Sequence, residues 1–445
     1  MYKRIISFGL LLLATALVSA QVNQIQFEEY DLKNGLHVIL HEDHSTPIVA
    51  VTVMYHVGSK NEDPSRTGMA HFFEHLLFEG SDNIGRGEFS KYVENAGGTL
   101  NANTTNDRTF YYEIIPSNQM ELGLWLESER MLHATVANEG IETQREVVKE
   151  ERRQRIDNQP YGSLLEETMV RAYQEHPYRW TTIGSMEHLN QATDQEFVDF
   201  YKKYYVPENA VLSIAGDISV SETKKLINKY FSDIPRGLTP IERPSIVEPR
   251  KVQEVRDTVW GKDQLPLVLM AYHIPAQGTE DYYAVNMLNS ILSDGGSSRL
   301  NRSVVEEKQL AIFSGAFSFA LEDPGLTIAF NMANMGVDPS ELEAAVEEEI
   351  EKLKNDLISD RELQKLRNQI ENDFVSSNSN VAGIAESLAN YHMYFGDAKL
   401  INNEIDRYLA VTPEAIREAA RKYYTPENRV VLYFLYDEST DQVEQ

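Results

Sequence analysis

The feature that most constrains this chain is that it repeats itself once, at long range. Lys203-Tyr204-Tyr205-Val206-Pro207-Glu208-Asn209 returns as Lys422-Tyr423-Tyr424-Thr425-Pro426-Glu427-Asn428, a shift of 422 − 203 = 219 residues. A helical stretch opened by Thr193 or Thr412 precedes each copy, and a strand pattern follows it, 210–215 in one case and 429–435 in the other. Earlier in each unit an apolar run ends in Tyr55-His56-Val57 or Tyr272-His273-Ile274 and leads on to Glu62-Asp63 or Glu280-Asp281. Solenoid repeats are several-fold shorter, so this period means duplicated domains, and 445 residues are more than one ordinary core accommodates. The expected organisation is two homologous domains, 25–235 and 245–440, joined by the proline-bearing, poorly periodic stretch 235–249. Within them β-rich runs such as 49–57 and 109–115 mix with helical patterns such as 120–132 and 139–156. This pattern predicts an α/β or α+β domain with helices packed on a sheet.

The N-terminus reads as a separate segment. Lys3-Arg4, an apolar run over 5–17 and the small residues Val18-Ser19-Ala20 form the pattern of a signal peptide, residues 1–20, removed after Ala20. The run is shorter than the ~20 apolar residues that span a bilayer, so no stable membrane anchor is expected. The chain is therefore expected to be exported, and the residues themselves leave periplasm and medium both open. It has no cysteine, which excludes disulfides, thiolate metal ligands and cysteine nucleophiles. Lys plus Arg number 41 against 69 Asp plus Glu, a net charge of −28 that becomes −30 when Lys3 and Arg4 are lost. A field of that sign repels phosphate backbones and argues against a nucleic-acid partner.

Chemistry concentrates in His71-Phe72-Phe73-Glu74-His75. Two histidines four apart project from one face of a helix and can share a metal ion. Glu74 lies at the edge of that face, placed to take a proton from a metal-bound water. Two imidazoles leave a catalytic zinc short of its usual three protein ligands, and the helix over 139–157 offers the third. With Val147 set at zero on a wheel of about 100° per residue, Glu151 falls near 40°, inside an arc completed by Gln144, Val148 and Ile141, whereas Glu150 falls outside it near −60°. A carboxylate facing a core needs a partner. A metal would be one; a buried ion pair with Arg108, Arg145 or Arg155 is the other.

These residues resemble the pitrilysin/insulinase family of inverted-motif zinc metallopeptidases, which includes the mitochondrial processing peptidases and bacterial exported members. The resemblance runs from 68–78 through Gly97-Gly98-Thr99-Leu100-Asn101-Ala102-Asn103-Thr104 and Arg145-Glu146-Val147-Val148-Lys149-Glu150-Glu151 to the stretch 200–209. It implies an α+β fold of two homologous αβ-roll domains, helices on a mainly antiparallel sheet, facing each other around a chamber that admits unfolded peptide. It implies Zn2+ bound by His71, His75 and Glu151, with Glu74 as general base of an exported endopeptidase acting on peptides and unfolded polypeptides. Together with the signal segment it points to the periplasm. It places an extended substrate along an edge strand at Asn101, Ala102 and Asn103.

The second half departs from the pattern. The segment 284–293, which matches the metal helix, holds neither His nor Glu, so that domain is expected to carry no metal. The family's Arg and Tyr that grip the substrate are represented by Arg299 alone, because the tyrosine position falls among Leu310-Ala311-Ile312-Phe313. The resemblance therefore implies a homodimer, or a heterodimer with a homologous subunit lacking the metal motif, to complete the site. The alternative function is a weak or inactive structural or peptide-binding subunit of a processing-peptidase-like complex.

Overall fold

The computed structural model describes residues 24–437; the expected signal peptide lies outside them. The fold is α+β, with two sheets. The first contains β1 (Glu28–Asp31), β2 (His37–Glu42), β3 (Ile48–Tyr55), β4 (Thr99–Thr104), β5 (Thr109–Pro116) and β6 (Ala210–Gly216), in the order β1-β2-β6-β3-β5-β4. The second contains β7 (Val255–Gly261), β8 (Leu267–His273), β9 (Ala311–Phe319), β10 (Leu326–Ala333) and β11 (Arg429–Tyr436), in the order β7-β11-β8-β10-β9. Dropping β1, the two orders are the same. In each sheet one pair is parallel, β2 with β6 and β7 with β11, and the remaining pairs are antiparallel. No helix among the described residues is long and apolar enough to cross a membrane.

The repeated heptapeptide forms the same corner twice. Each copy closes a helix, Asp194–Tyr204 or Pro413–Tyr423, and turns through a short 3-10 segment into β6 or β11. The Asn209 amide donates to Tyr204 O (2.8 Å) and His56 O (3.3 Å). Asn428 does the same with Tyr423 O (2.7 Å) and His273 O (2.8 Å). One side chain thus satisfies a carbonyl at the helix end and another at the end of the neighbouring strand, and His56 O accepts from Arg243 as well.

Both central strands are apolar along nearly their whole length because both faces of each sheet are covered. On the first sheet, Val49, Val51, Val53 and Tyr55 face a core shared with Phe72, Phe73 and Phe197. Ala50, Met54 and Val211 face the other way, onto Ile384, Ala385 and Leu388 of the helix Val381–Phe395. The second sheet repeats the arrangement: Val268 and Met270 face its own helices, while Leu267, Leu269 and Ala271 pack on Met169, Ala172, Tyr173 and Tyr178. The helix Leu164–Ala172 therefore covers the second sheet, and the helix Val381–Phe395 covers the first. The stretch 232–254, which contains neither helix nor strand, connects the two sheets.

A buried ionic cluster pins this exchange. Lys60 (4 % exposed) reaches Asp107 (1 % exposed) at 2.9 Å and Asp323 at 3.2 Å, and also contacts Glu322. Tyr178 Oη donates to Asp107 Oδ1 (2.5 Å), Glu322 N donates to Asp107 Oδ2 (3.0 Å), and His56 Nε2 lies 2.9 Å from Glu322 Oε2. Although burial opposes its charge, His56 and Lys60 hold the Glu322 carboxyl down at about 2.

The paired corners give a direct test. Asn428→Ala orphans two main-chain carbonyls and Asn209→Ala one, since Arg243 also donates to His56 O, and each is expected to cost about 1–3 kcal/mol in denaturant unfolding. Wild-type stability in both variants would show that the corners do not depend on the side chain.

Candidate metal centre

The helix Met69–Leu76 begins where only glycine fits. Gly68 has φ +96°, and a Cβ there would stand 2.8 Å from Ile183 O. The carboxylate of Glu62 caps the helix start, accepting from Gly68 N (2.9 Å) and Ala70 N (2.8 Å), two donors that have no partner within the helix. Burial pushes the Glu62 carboxyl up to about 8 against the pull of those amide hydrogen bonds. On one side of the helix Phe72 and Phe73 are fully buried, with the Phe72 ring 4.4 Å from Phe197 and the Phe73 ring 5.2 Å from Tyr205. The opposite side carries His71, Glu74 and His75.

Glu151 meets them from the helix Asn138–Arg152. Its Oε2 lies 3.6 Å from His71 Nε2 and 3.2 Å from His75 Nε2, while Oε1 pairs with Arg155 Nη1 at 2.7 Å. Glu151 thus has an arginine on one oxygen and the imidazole pair on the other. Arg108 and Arg145 are engaged elsewhere, Arg108 with Asn103 and Glu386, Arg145 with Glu142 and the carbonyl of Ala192. Centring the apolar face on Val147 is corrected by the structure: Val147 is 43 % exposed, and the buried stripe is Ile141, Arg145 and Val148. Glu151 still continues it, three residues beyond Val148.

These three groups fit a tetrahedral ion. Burial, and then His75, push His71 down to about 4, so its imidazole is neutral. Contact with His75 holds Glu151 low, so it is a carboxylate. Glu151 Oε2 is buried and accepts no well-formed hydrogen bond among the described residues. A carboxylate and two imidazoles that converge this closely can share one cation. Ligand atoms on a tetrahedral zinc stand about 3.3 Å apart, given Zn–N and Zn–O lengths of about 2.0–2.1 Å, and 3.2 and 3.6 Å bracket that value. The His71 and His75 rings stand at 82° with centroids 4.9 Å apart, and the Nε2 of each reaches toward Glu151 Oε2. A second candidate cluster among the described residues, Glu29, His37 and His392, lacks this geometry. There the His37 and His392 rings stack 3.4 Å apart at 9°, and in-plane lone pairs of parallel rings do not meet.

Glu74 is tied to an edge strand. Its Oε2 accepts a hydrogen bond from Thr104 Oγ1 (2.6 Å), the last residue of β4. Burial raises the Glu74 carboxyl above its ordinary range, with the Thr104 hydroxyl and His75 opposing. Asn101, Ala102 and Asn103 lie in β4, which among the described strands pairs only with β5 and forms the outer edge of its sheet. Arg299 does not join the cluster: it pairs with Glu362 (3.0 Å) and lines a different cavity of about 1160 Å³ with Arg302 and Lys365. Ile312 and Phe313 are about half exposed on β9, with no hydroxyl to offer. The role of Thr104 and the capping by Glu62 are not readable from the sequence. Thr104 closes the Asn101–Thr104 run, but hydrogen bonding between strand and helix leaves no periodic signal.

Comparison with known proteins finds one family along most of the chain. Residues 37–185 match the profile of the family described as Insulinase (Peptidase family M16), and residues 191–370 match the Peptidase M16 inactive domain. The chain is 33 % identical over 416 residues to the zinc protease PqqE of Helicobacter pylori, covering 89 % of this chain and 94 % of that protein. It is 25 % identical to the uncharacterized zinc protease YmxG of Bacillus subtilis, covering 91 % and 97 %. The crystal structure of a protease from Helicobacter pylori superposes with a TM-score of 0.89 at 29 % identity, covering 93 % of this chain and all of that one. The periplasmic protease PqqL of Escherichia coli shares the fold, with a TM-score of 0.76 at 18 % identity over 94 % of this chain and 48 % of PqqL.

The two candidate clusters can be separated by titration with Co2+ followed by its visible absorption. One equivalent is expected to bind per chain, to be lost in His75→Ala and Glu151→Ala, and to persist in His37→Ala. Loss on changing His37 would transfer the metal centre to the other cluster.

Proposed function

Because the chain belongs to the insulinase family of metallopeptidases, peptidase family M16, we propose that it is a zinc metalloendopeptidase that hydrolyses peptides and unfolded polypeptides. The observation that carries this reading is the convergence of His71, His75 and Glu151 beside a base held at an edge strand. His71, His75 and Glu151 would hold the ion. Zinc, when bound there, lowers the pKa of water and polarises the substrate carbonyl.

Glu74 is the general base: it takes the proton from the attacking water and passes it to the departing amine. Burial raises its proton affinity, which favours holding the proton between those two transfers. Thr104 fixes which oxygen is free, since Oε2 is already engaged. The substrate is read as a further strand beside Asn101, Ala102 and Asn103, where main-chain pairing tolerates varied side chains. In this reading 25–235 is the catalytic domain and 245–440 its metal-free homologue, and the chain is exported to the periplasm after removal of residues 1–20.

A second reading is a peptide-binding or structural subunit that works beside a homologous partner. The apolar side chains of Ile312 and Phe313, where a tyrosine is expected, favour it.

Glu74→Gln distinguishes the two. The variant is expected to keep its metal and lose about 10²–10⁴ in kcat on an unstructured peptide, followed by mass spectrometry of the products. Equal cleavage by variant and wild type would remove Glu74 from the mechanism, and no cleavage by metal-loaded wild type would favour the subunit reading.

A further inference from the structure

Beneath the metal helix lies a buried ionic group that the proposed reaction does not use. Glu113 and Glu127 are fully buried and Arg130 is 1 % exposed. Arg130 contacts Glu127, its Nη1 stands 3.5 Å from Glu113 Oε1, and its guanidinium lies between the rings of Tyr111 (4.3 Å), Phe89 (4.4 Å) and Phe78 (4.8 Å). Among the described residues, both oxygens of Glu113, Oε2 of Glu127 and Nη2 of Arg130 have no well-formed hydrogen bond. Such a group is costly to bury, and apolar residues of similar volume generally stabilise a core as well or better. Its contacts point to a role other than stability.

That role is visible in what the group touches. Arg130 Nε donates to Leu77 O (3.4 Å), the carbonyl just past the end of the helix Met69–Leu76. Tyr111 Oη, beneath the same guanidinium, donates to Phe73 O (3.0 Å), the carbonyl immediately before Glu74. Tyr111 is also paired across the sheet with Ala102 of the edge strand. A cation at a helix C-terminus is favourable, and hydrogen bonds to the last turn fix its orientation.

We propose that Arg130 and Tyr111 are positioning residues that grip the last turn of the metal helix from below and set the direction of Glu74 and His75 relative to Glu151 and β4. Glu127 holds the guanidinium in place. Burial and the neighbouring Glu127 charge push the Glu113 carboxyl well up. The register Ala102↔Tyr111 means that one side chain connects the strand that would take substrate to the helix that carries the base. This inference rests on the metal-centre reading above.

The test uses the mature chain with Tyr111→Phe, which removes one hydroxyl, and the paired change Glu127→Met with Arg130→Met, which replaces the ion pair by apolar volume. Zn2+ affinity is measured by competition with a chromophoric chelator, kcat and KM with an unstructured peptide, and Tm by calorimetry. The paired variant is expected to keep or raise its Tm while Zn2+ affinity falls about 10–100-fold; both variants are expected to lower kcat with little change in KM. A folded variant of either kind with wild-type affinity and wild-type kcat overturns the proposal. If the paired variant does not fold, Tyr111→Phe still decides. Failure of the wild type to bind Zn2+ would sink the metal reading instead, and the two outcomes are read from different samples.

Discussion

Everything in this molecule depends on the fact that each sheet has two apolar faces and only one set of helices of its own. A sheet face left bare exposes more apolar area than a soluble chain tolerates. Here the helix Val381–Phe395 closes the face formed by Ala50, Met54 and Val211, and the segment carrying Met169, Ala172 and Tyr178 closes the face formed by Leu267, Leu269 and Ala271. The Lys60, Asp107 and Glu322 cluster sits where the two halves cross, and the buried Lys60 is tolerated there because carboxylates from both halves pair with it.

The metal centre inherits its rigidity from that packing. Phe72 and Phe73 anchor one side of a helix of eight residues, too short to hold itself in water. Glu62 fixes its start, and its end is held by hydrogen bonds from Tyr111 and Arg130. The side chains of His71, His75 and Glu151 then meet on the remaining face.

Much of this is legible in the sequence, for identifiable reasons. The repeat marks the two equivalent corners because the same asparagine solves the same hydrogen-bonding problem twice. The patterns at 109–115 and 120–132 lie within a residue of β5 (Thr109–Pro116) and the helix Met120–Leu132, since strong periodicity reflects burial. His71 and His75 are readable from spacing. Glu151 emerges from a helical wheel even though its centre is misplaced, because Val147 is an apolar residue beside the metal cluster and not part of the core. Arg299 is beyond such reading, because its pairing with Glu362 is a contact between segments far apart in the chain. The crossing of helices between sheets is also out of reach: an amphipathic stretch declares that it has an apolar face, not which sheet that face will meet.

That crossing has a consequence for how the two halves hold together. Each sheet keeps one apolar face that a helix from the other half of the chain covers, so neither half can unfold without laying bare the other's core. The half whose segment 284–293 holds neither His nor Glu therefore completes its neighbour's packing whatever its share in the chemistry.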